Sequence, residues 1–221
     1  PNAEVDNGAL DEQVDPFLVE ADTNIEKLNL EIADTNSAGS VITDLDYTGL
    51  EILSLSGGIQ DYDFEITNPL EPSLREIHAS NIPANLTLDV SESILVKKIT
   101  LGSGDDVLSV GNSLVASPDS DLLDGGDGLD KILISFEGAT TARPNLSSFE
   151  ALDLSSAGDS ILDFTDISNL DTLSILESSA GIALTNLPFD LTKFNVAGPQ
   201  TGAWSLSFVD NSDSIVNLNW S

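Results

Sequence analysis

The fold is decided by Gly125-Gly126-Asp127-Gly128-Leu129-Asp130-Lys131-Ile132-Leu133, a stretch of nine residues near the middle of the chain. It matches the nonapeptide pattern G-G-x-G-x-D-x-U-x at every fixed position, where U is a large apolar residue. The segment 102–109 matches the same pattern from its second position onward, because Leu101 replaces the first glycine. Asp121 lies nine residues before Asp130 and so has the spacing of a third, partial copy. Three copies so close together indicate a repeat.

The residue types of these turns suit a hard divalent cation. Calcium takes roughly six to eight oxygen ligands, from carboxylates and backbone carbonyls, at about 2.3–2.6 Å. Glycine permits positive φ, so that several carbonyl groups of one turn can point to the same place. The aspartate supplies negative charge, and the apolar residue two positions later anchors a short strand in the core. The alternative interpretation is a pair of glycine-rich β-turns with solvated aspartates.

The segment from about 101 to 134 resembles the RTX, or hemolysin-type, calcium-binding family. The resemblance implies a parallel β-roll in which calcium lies between stacked turns. Asp106 and Asp130 are the principal side-chain ligands that it implies, with glycine carbonyl groups completing the shells. The implied metal site comprises Gly102, Gly104, Asp105, Asp106, Asp121, Gly126, Asp127, Gly128 and Asp130. Since 15 residues separate Asp106 from Asp121, the array is short, and we expect about one to three ions.

The charge of the chain narrows the range of its partners. There are 38 acidic and 7 basic side chains, which give a formal net charge of −31. Nucleic acid and anionic membranes are disfavoured, because phosphate binding needs lysine and arginine. Divalent cations are favoured, because they reduce the self-repulsion that opposes compaction. A hydrophobic content of 40% is enough for a buried core.

The cysteine count and the apolar runs bear on location. The chain has no cysteine, which excludes disulfides and thiolate metal sites. A secreted protein of this composition fits bacterial export better than the eukaryotic secretory route. No run approaches the roughly 18 apolar residues of a membrane helix, so we expect no membrane insertion. The chain begins at Pro1 without a signal peptide, and we expect it to be a piece of a longer polypeptide.

A second repeat runs through most of the chain. The phrase apolar-x-x-apolar-x-apolar begins at residues 25, 50, 74, 96, 129, 149, 170, 191 and 215. Between the phrases lie alternating stretches such as Leu86-Thr-Leu88-Asp-Val90, which predict strands. Two or three short strands per coil of about 20–25 residues are typical of a β-solenoid. We therefore expect an all-β, parallel, right-handed β-solenoid over 25–221, with a linker or N-terminal cap over 1–24.

Two further points qualify this fold prediction. A leucine-rich repeat is the second possibility, although the asparagine or cysteine that normally follows at a fixed offset is missing. Stacking all the phrases in one register predicts that Glu51 lies beside Arg75, and that Lys97 lies beside Asp130 or Glu76. Such cross-strand pairs contribute about 0.2–1 kcal/mol each. The alternative is that charged residues simply flank any exposed strand.

Most of the segment 25–220 also resembles the β-solenoid repeats of RTX-type bacterial surface-layer proteins. The resemblance is carried by Phe149-Glu-Ala-Leu-Asp-Leu, by Ile182-Ala-Leu-Thr-Asn-Leu-Pro and by Ala203-Trp-Ser-Leu-Ser-Phe. It implies secretion by a type I system, binding of calcium and self-association into a lattice on the bacterial cell surface. The expected function is thus that of an extracellular structural module.

Catalysis is not expected. His78 is the single histidine, so a catalytic triad or a histidine-based zinc site has little to build on. A lyase for acidic polymers needs a basic groove, and only 7 basic residues are present. Two alternatives to the surface-layer function remain. One is an adhesin or matrix module that binds cell-surface glycans, and the other is a calcium-dependent folding module of a secreted hydrolase.

Overall fold

The computed structural model describes residues 2–5, 17–20, 25–33, 39–93, 98–112, 114, 121–188, 191–209 and 219–220. Within these ranges the chain forms strands and turns and no helix, and the strands pair in parallel. The chain winds as a β-solenoid. The expected all-β, parallel solenoid is therefore confirmed.

The strands form three sheets, here named A, B and C. Sheet A contains, in spatial order, β1 (Asn2–Val5), β3 (Lys27–Ile32), β5 (Ile52–Gly57), β7 (Glu76–His78), β9 (Lys98–Thr100), β11 (Leu122–Asp124) and β14 (Asn145–Ser147). Sheet B contains β2 (Phe17–Glu20), β4 (Ser40–Asp46), β6 (Asp63–Ile66), β8 (Asn85–Asp89), β10 (Val107–Val110), β12 (Lys131–Phe136), β15 (Ala151–Ser156), β17 (Thr172–Ser178), β19 (Lys193–Val196) and β21 (Asn219–Trp220). Sheet C contains β13 (Thr140–Ala142), β16 (Ser160–Asp163), β18 (Ile182–Leu187) and β20 (Trp204–Phe208).

The number of sheets changes along the solenoid. Up to β12, each coil places one strand in sheet A and the next in sheet B. Sheet C begins with β13, and the coil β13–β14–β15 has one strand in each sheet. Ile167 still bridges to Leu146 of sheet A, and the following named strands alternate between sheets B and C. Sheet B is thus the element that runs through every coil.

The core is a stack of apolar side chains one coil apart. Leu88, Leu108, Ile132, Leu152 and Leu173 are register partners on successive strands of sheet B. Each of these side chains has 0% of its surface exposed. A single coil cannot bury its own apolar residues, so burial comes from the neighbouring coils about 4.8 Å above and below. Full burial of each such side chain contributes about 1.5–3 kcal/mol.

The N-terminal segment also contains strands. Residues 1–24 contribute β1 and β2, which pair in parallel with β3 and β4. The remainder of that segment lies outside the described residues. The division of the chain at residue 24 stays a prediction.

The prediction of one common register for all the phrases is wrong. The phrases that begin at 25, 50, 74 and 96 lead into sheet A, whereas those that begin at 129, 149, 170 and 191 lead into sheet B. The strand β9 pairs with β11, so the phrase 96–101 does not stack on the phrase 129–134. Apolar residues alternate in the same way on both sheets, and the phrase therefore does not specify which sheet its strand joins.

Of the predicted ion pairs, the one with Arg75 is present in the structure, and the one with Lys97 lies outside the described residues. The Arg75–Glu51 pair is confirmed, since Arg75 Nε lies 3.7 Å from Glu51 Oε1 with both side chains about half exposed. Lys97 lies outside the described residues, so its predicted neighbours stay a prediction. Its chain neighbour Lys98 is the register partner of Glu76.

Candidate metal centre

The two glycine-rich turns stack directly on each other. Gly126 has φ +99°, and a Cβ atom built on it would lie 2.0 Å from the carbonyl oxygen of Gly102. Gly128 has φ +124°, and its Cβ would lie 2.1 Å from the carbonyl oxygen of Gly104. Real Cβ atoms essentially never come within 3.0 Å of such an atom. Both positions therefore require glycine, and the carbonyl groups of the first turn face the backbone of the second.

Asp106 is buried beneath the first glycine turn, and its carboxylate binds backbone N–H groups of this turn and of the preceding coil. Its side chain is 0% exposed. Its Oδ1 accepts a hydrogen bond from the backbone N–H of Leu86 in the preceding coil at 2.7 Å, and its Oδ2 accepts one from Gly102 at 3.0 Å. Burial raises the pKa of this carboxyl to about 6, although the two N–H groups act in the opposite direction.

Asp130 occupies the same position one coil later. Its side chain is 1% exposed, and its Oδ1 accepts a hydrogen bond from the backbone N–H of Asp106 at 2.8 Å. Its Oδ2 is buried and has no hydrogen-bond partner in the described part of the chain. Burial, together with the nearby carboxylates of Asp106, Glu150 and Asp105, raises the pKa of Asp130 to about 7, although the N–H of Asp106 acts in the opposite direction. Negative charge is thus poorly compensated at Asp130.

Glu150 continues this arrangement into the next coil. Its Oε2 accepts a hydrogen bond from the backbone N–H of Asp130 at 2.8 Å. Asp106, Asp130 and Glu150, here named the acid ladder, each bind the backbone N–H at the equivalent position one coil earlier. The glycine motif does not mark Glu150, because the corner that contains it lacks the glycines. The signal was nevertheless present, since Asp130 and Glu150 both hold the second position of their phrases.

The other predicted site residues lie around the ladder or away from it. Asp105 accepts a hydrogen bond from the backbone N–H of Leu129 at 2.8 Å, while its own N–H donates to Asn85 Oδ1 at 2.9 Å. Asp127 is exposed. Asp121 is buried, but it precedes β11 in sheet A, at the end of that strand away from the glycine turn. The structure therefore brings Asp106 and Asp130 together and does not place Asp121 in their column.

No cation of the protein balances the ladder within the described residues. Lys131, which follows Asp130, forms an ion pair with Asp153 on the outer face of sheet B. The other arginine ion pairs of the described ranges join Arg75 to Glu51 and Arg143 to Asp166. The described ranges also contain no group of three or more His, Cys, Asp and Glu side chains arranged to hold a metal. A cation bound here would therefore take backbone carbonyl oxygens in addition to carboxylates.

Comparison of the chain with protein-family models, with curated proteins and with solved structures found no match. Among the described residues, none forms an apolar helix of bilayer-spanning length.

Proposed function

We propose that this chain is a calcium-binding structural module of a secreted, self-assembling bacterial surface-layer protein with RTX turns. The observation that carries the proposal is the buried pair Asp106 and Asp130 inside two stacked glycine turns. Burying an ionised carboxylate without a partner is costly, and in practice the group is neutralised or binds a cation. A hard cation with flexible oxygen coordination suits a turn that offers carboxylates and carbonyls.

Calcium would then control the order of the solenoid. The chain carries a net charge of −31, so repulsion between its own carboxylates opposes the compact state. Calcium removes two charges per ion and would tie neighbouring coils together. The cytosol is poor in free calcium and the exterior is rich in it. The module would consequently remain loosely ordered before export and become ordered at the cell surface.

The first experiment tests calcium binding by the chain itself. Thermal unfolding followed by circular dichroism is compared in calcium, in magnesium and in chelator. A ligand at a hundred times its Kd stabilises the native state by about 2.7 kcal/mol. Calcium should raise the melting temperature, and magnesium should do much less because its small octahedral shell suits such turns poorly. Equal melting curves in calcium and in chelator would refute calcium binding.

The second experiment tests assembly of the polypeptide that contains this module. Calcium can bridge carboxylates of two molecules, and open solenoid ends expose strand edges that favour stacking. Light scattering across a calcium titration is compared with a monovalent-salt titration at matched ionic strength, which controls for screening alone. Calcium-specific growth in particle size, with ordered sheets in electron micrographs, would support the surface-layer function. A polypeptide that stays monomeric at millimolar calcium would contradict it and favour the glycan-binding adhesin.

A further inference from the structure

We infer that the calcium ion binds between the turn Gly125–Asp130 and the following corner 147–150, with Asp130, Ser148 and Glu150 supplying oxygens. This inference rests on the proposed function and goes beyond it, because the corner 147–150 lacks the glycine motif. The site would join one motif turn to one non-motif corner. Two motif turns would not be needed to hold this ion.

The first argument concerns which carboxylate oxygen needs a partner. Both oxygens of Asp106 accept backbone N–H groups, one from Leu86 and one from Gly102. Asp130 uses only Oδ1 in this way, and its Oδ2 is buried without a hydrogen-bond partner among the described residues. The side chain of Asp130 is 1% exposed, so water at the surface does not hydrate that oxygen. The unmet demand for a cation therefore lies at Asp130 Oδ2.

The second argument concerns where that oxygen points. Asp130 Oδ2 lies 2.7 Å from the position that a Cβ atom on Gly125 would take. The carbonyl oxygen of Ser148 lies 1.9 Å from the same position. An ion with ligands at about 2.3–2.6 Å can bridge oxygens separated by up to about 5 Å. Distances of 1.9 and 2.7 Å to one common point place these two oxygens within that limit.

The corner that supplies the carbonyl oxygen has an unusual backbone. Ser148 adopts φ +57°, which is uncommon for a residue other than glycine. The preceding Ser147 accepts a hydrogen bond from the N–H of Gly125 at 2.9 Å, so the corner is held against the glycine turn. Any side chain at Gly125 would fill the space in which the oxygens of Ser148 and Asp130 approach each other.

The third argument concerns Glu150. Its Oε2 receives the N–H of Asp130 at 2.8 Å, which leaves Oε1 for an ion beside Asp130. In the next coil, Asp171 instead accepts a hydrogen bond from the hydroxyl of Thr192 at 2.6 Å. The column thus holds four carboxylates, Asp106, Asp130, Glu150 and Asp171, and becomes neutral at Thr192. Within the described residues, no cationic side chain is paired with the middle two of them, Asp130 and Glu150. A divalent cation balances the charge of this pair.

The test measures calcium affinity in the full chain by titration calorimetry after chelator treatment. Glu150→Gln keeps the shape of the side chain and removes its charge. Because Glu150 supplies a ligand oxygen directly, we expect calcium affinity to fall by at least about tenfold, the loss typical of removing an outer partner of a metal ligand. Glu177→Gln is the matched control, because Glu177 is an exposed residue of β17 in the same sheet. We expect its affinity to stay within about twofold of wild type.

The outcomes separate this inference from the proposed function. No calcium binding by the wild-type chain refutes the proposed function. If the wild-type chain binds calcium and Glu150→Gln binds it with the same affinity, the inference alone is overturned. The inference is also overturned if Glu150→Gln changes only the pH dependence of binding, because that result would indicate a proton shared between Asp130 and Glu150. If calcium-free Glu150→Gln loses its β-sheet signal, Glu150→Asp serves instead. That variant keeps the charge but has a shorter side chain. A calcium affinity clearly lower than those of wild type and Glu177→Gln would support the inference. An affinity within the range of those two proteins would count against it.

Discussion

Replacing Gly126 with alanine tests whether the glycine turns must stack as closely as the structure indicates. Gly126 has φ +99°, and an added Cβ would lie 2.0 Å from the carbonyl oxygen of Gly102. Gly49 offers a matched control, because its φ is +96° and nothing lies within 4 Å of its Cβ position. Gly138 offers the baseline, since it has no positive φ and also faces open space. The three substitutions therefore separate the backbone cost from the steric cost.

The expected magnitudes follow from these contacts. Gly138→Ala should be neutral or stabilise by up to about 1 kcal/mol. Gly49→Ala should destabilise by about 1–2 kcal/mol, the cost of a left-handed backbone for an L-residue. Gly126→Ala carries the same cost and must also move the turns apart by about 1 Å, because 3.0 Å is the closest approach of real Cβ atoms. That movement weakens the hydrogen bond from Asp127 N–H to Gly102 O, which is 3.0 Å long in the structure. The loss of such a bond costs about 0.5–1.5 kcal/mol.

We therefore expect Gly126→Ala to lower the free energy of unfolding by about 1.5–3.5 kcal/mol in total, which is about 0.5–1.5 kcal/mol more than Gly49→Ala. The assay is urea unfolding followed by circular dichroism, in chelator so that bound cations do not contribute. Equal m-values for the variants would show that the free energies are comparable. If Gly126→Ala destabilises no more than Gly49→Ala, the close approach of the two turns is refuted.

Three further predictions concern protonation, the core and the surface. In chelator, the free energy of unfolding should fall as pH rises from 3.8 towards 7. The pKa values of Asp106 (about 6) and Asp130 (about 7) are raised, so over this range the native state holds protons that the unfolded chain has released. A urea midpoint that rises over this range would contradict the raised pKa values of the two aspartates. Leu108→Ala, at a fully buried side chain, should lower the free energy of unfolding by about 2–5 kcal/mol. Leu122→Ala, at a side chain 49% exposed, should lower it by less than about 1 kcal/mol. Similar urea midpoints for the two variants would refute the core register. Arg75→Ala should cost about 0.2–1 kcal/mol and lose that effect at high salt, so a larger, salt-independent loss would rule out a surface ion pair.

The solenoid could be predicted from the sequence because its signals are local. Alternation of apolar residues in stretches such as 86–90 and 182–187 marks strands, and glycine-rich or polar turns separate them. A spacing of about 20–25 residues then indicates coils that stack. The motif also marked Asp106 and Asp130 as equivalent residues, each directly before a strand, but it did not give their direct stacking, because a partial copy at Asp121 was expected between them.

The assignment of strands to sheets could not be predicted in the same way. Inward-facing residues of sheets A and B obey one rule of alternation, so the phrase at 96–101 looked equivalent to the phrase at 129–134. The structure separates them because the strand β11 lies between them along the chain and takes the place beside β9. The role of Glu150 was missed for a related reason. It depends on a contact between coils, and the motif describes residues within one turn.

The pairing of each strand with strands one coil away has a kinetic consequence. Along the middle of sheet B, β15, β17 and β19 begin at residues 151, 172 and 193, so partners are separated by a short and nearly constant length of chain. Loop closure between partners therefore costs almost the same conformational entropy at every coil. Such a chain can nucleate at any pair of neighbouring coils and add the next one in sequence, as in a one-dimensional array. A polypeptide that emerges gradually from a narrow channel can fold in this way, because no coil has to wait for a distant part of the chain.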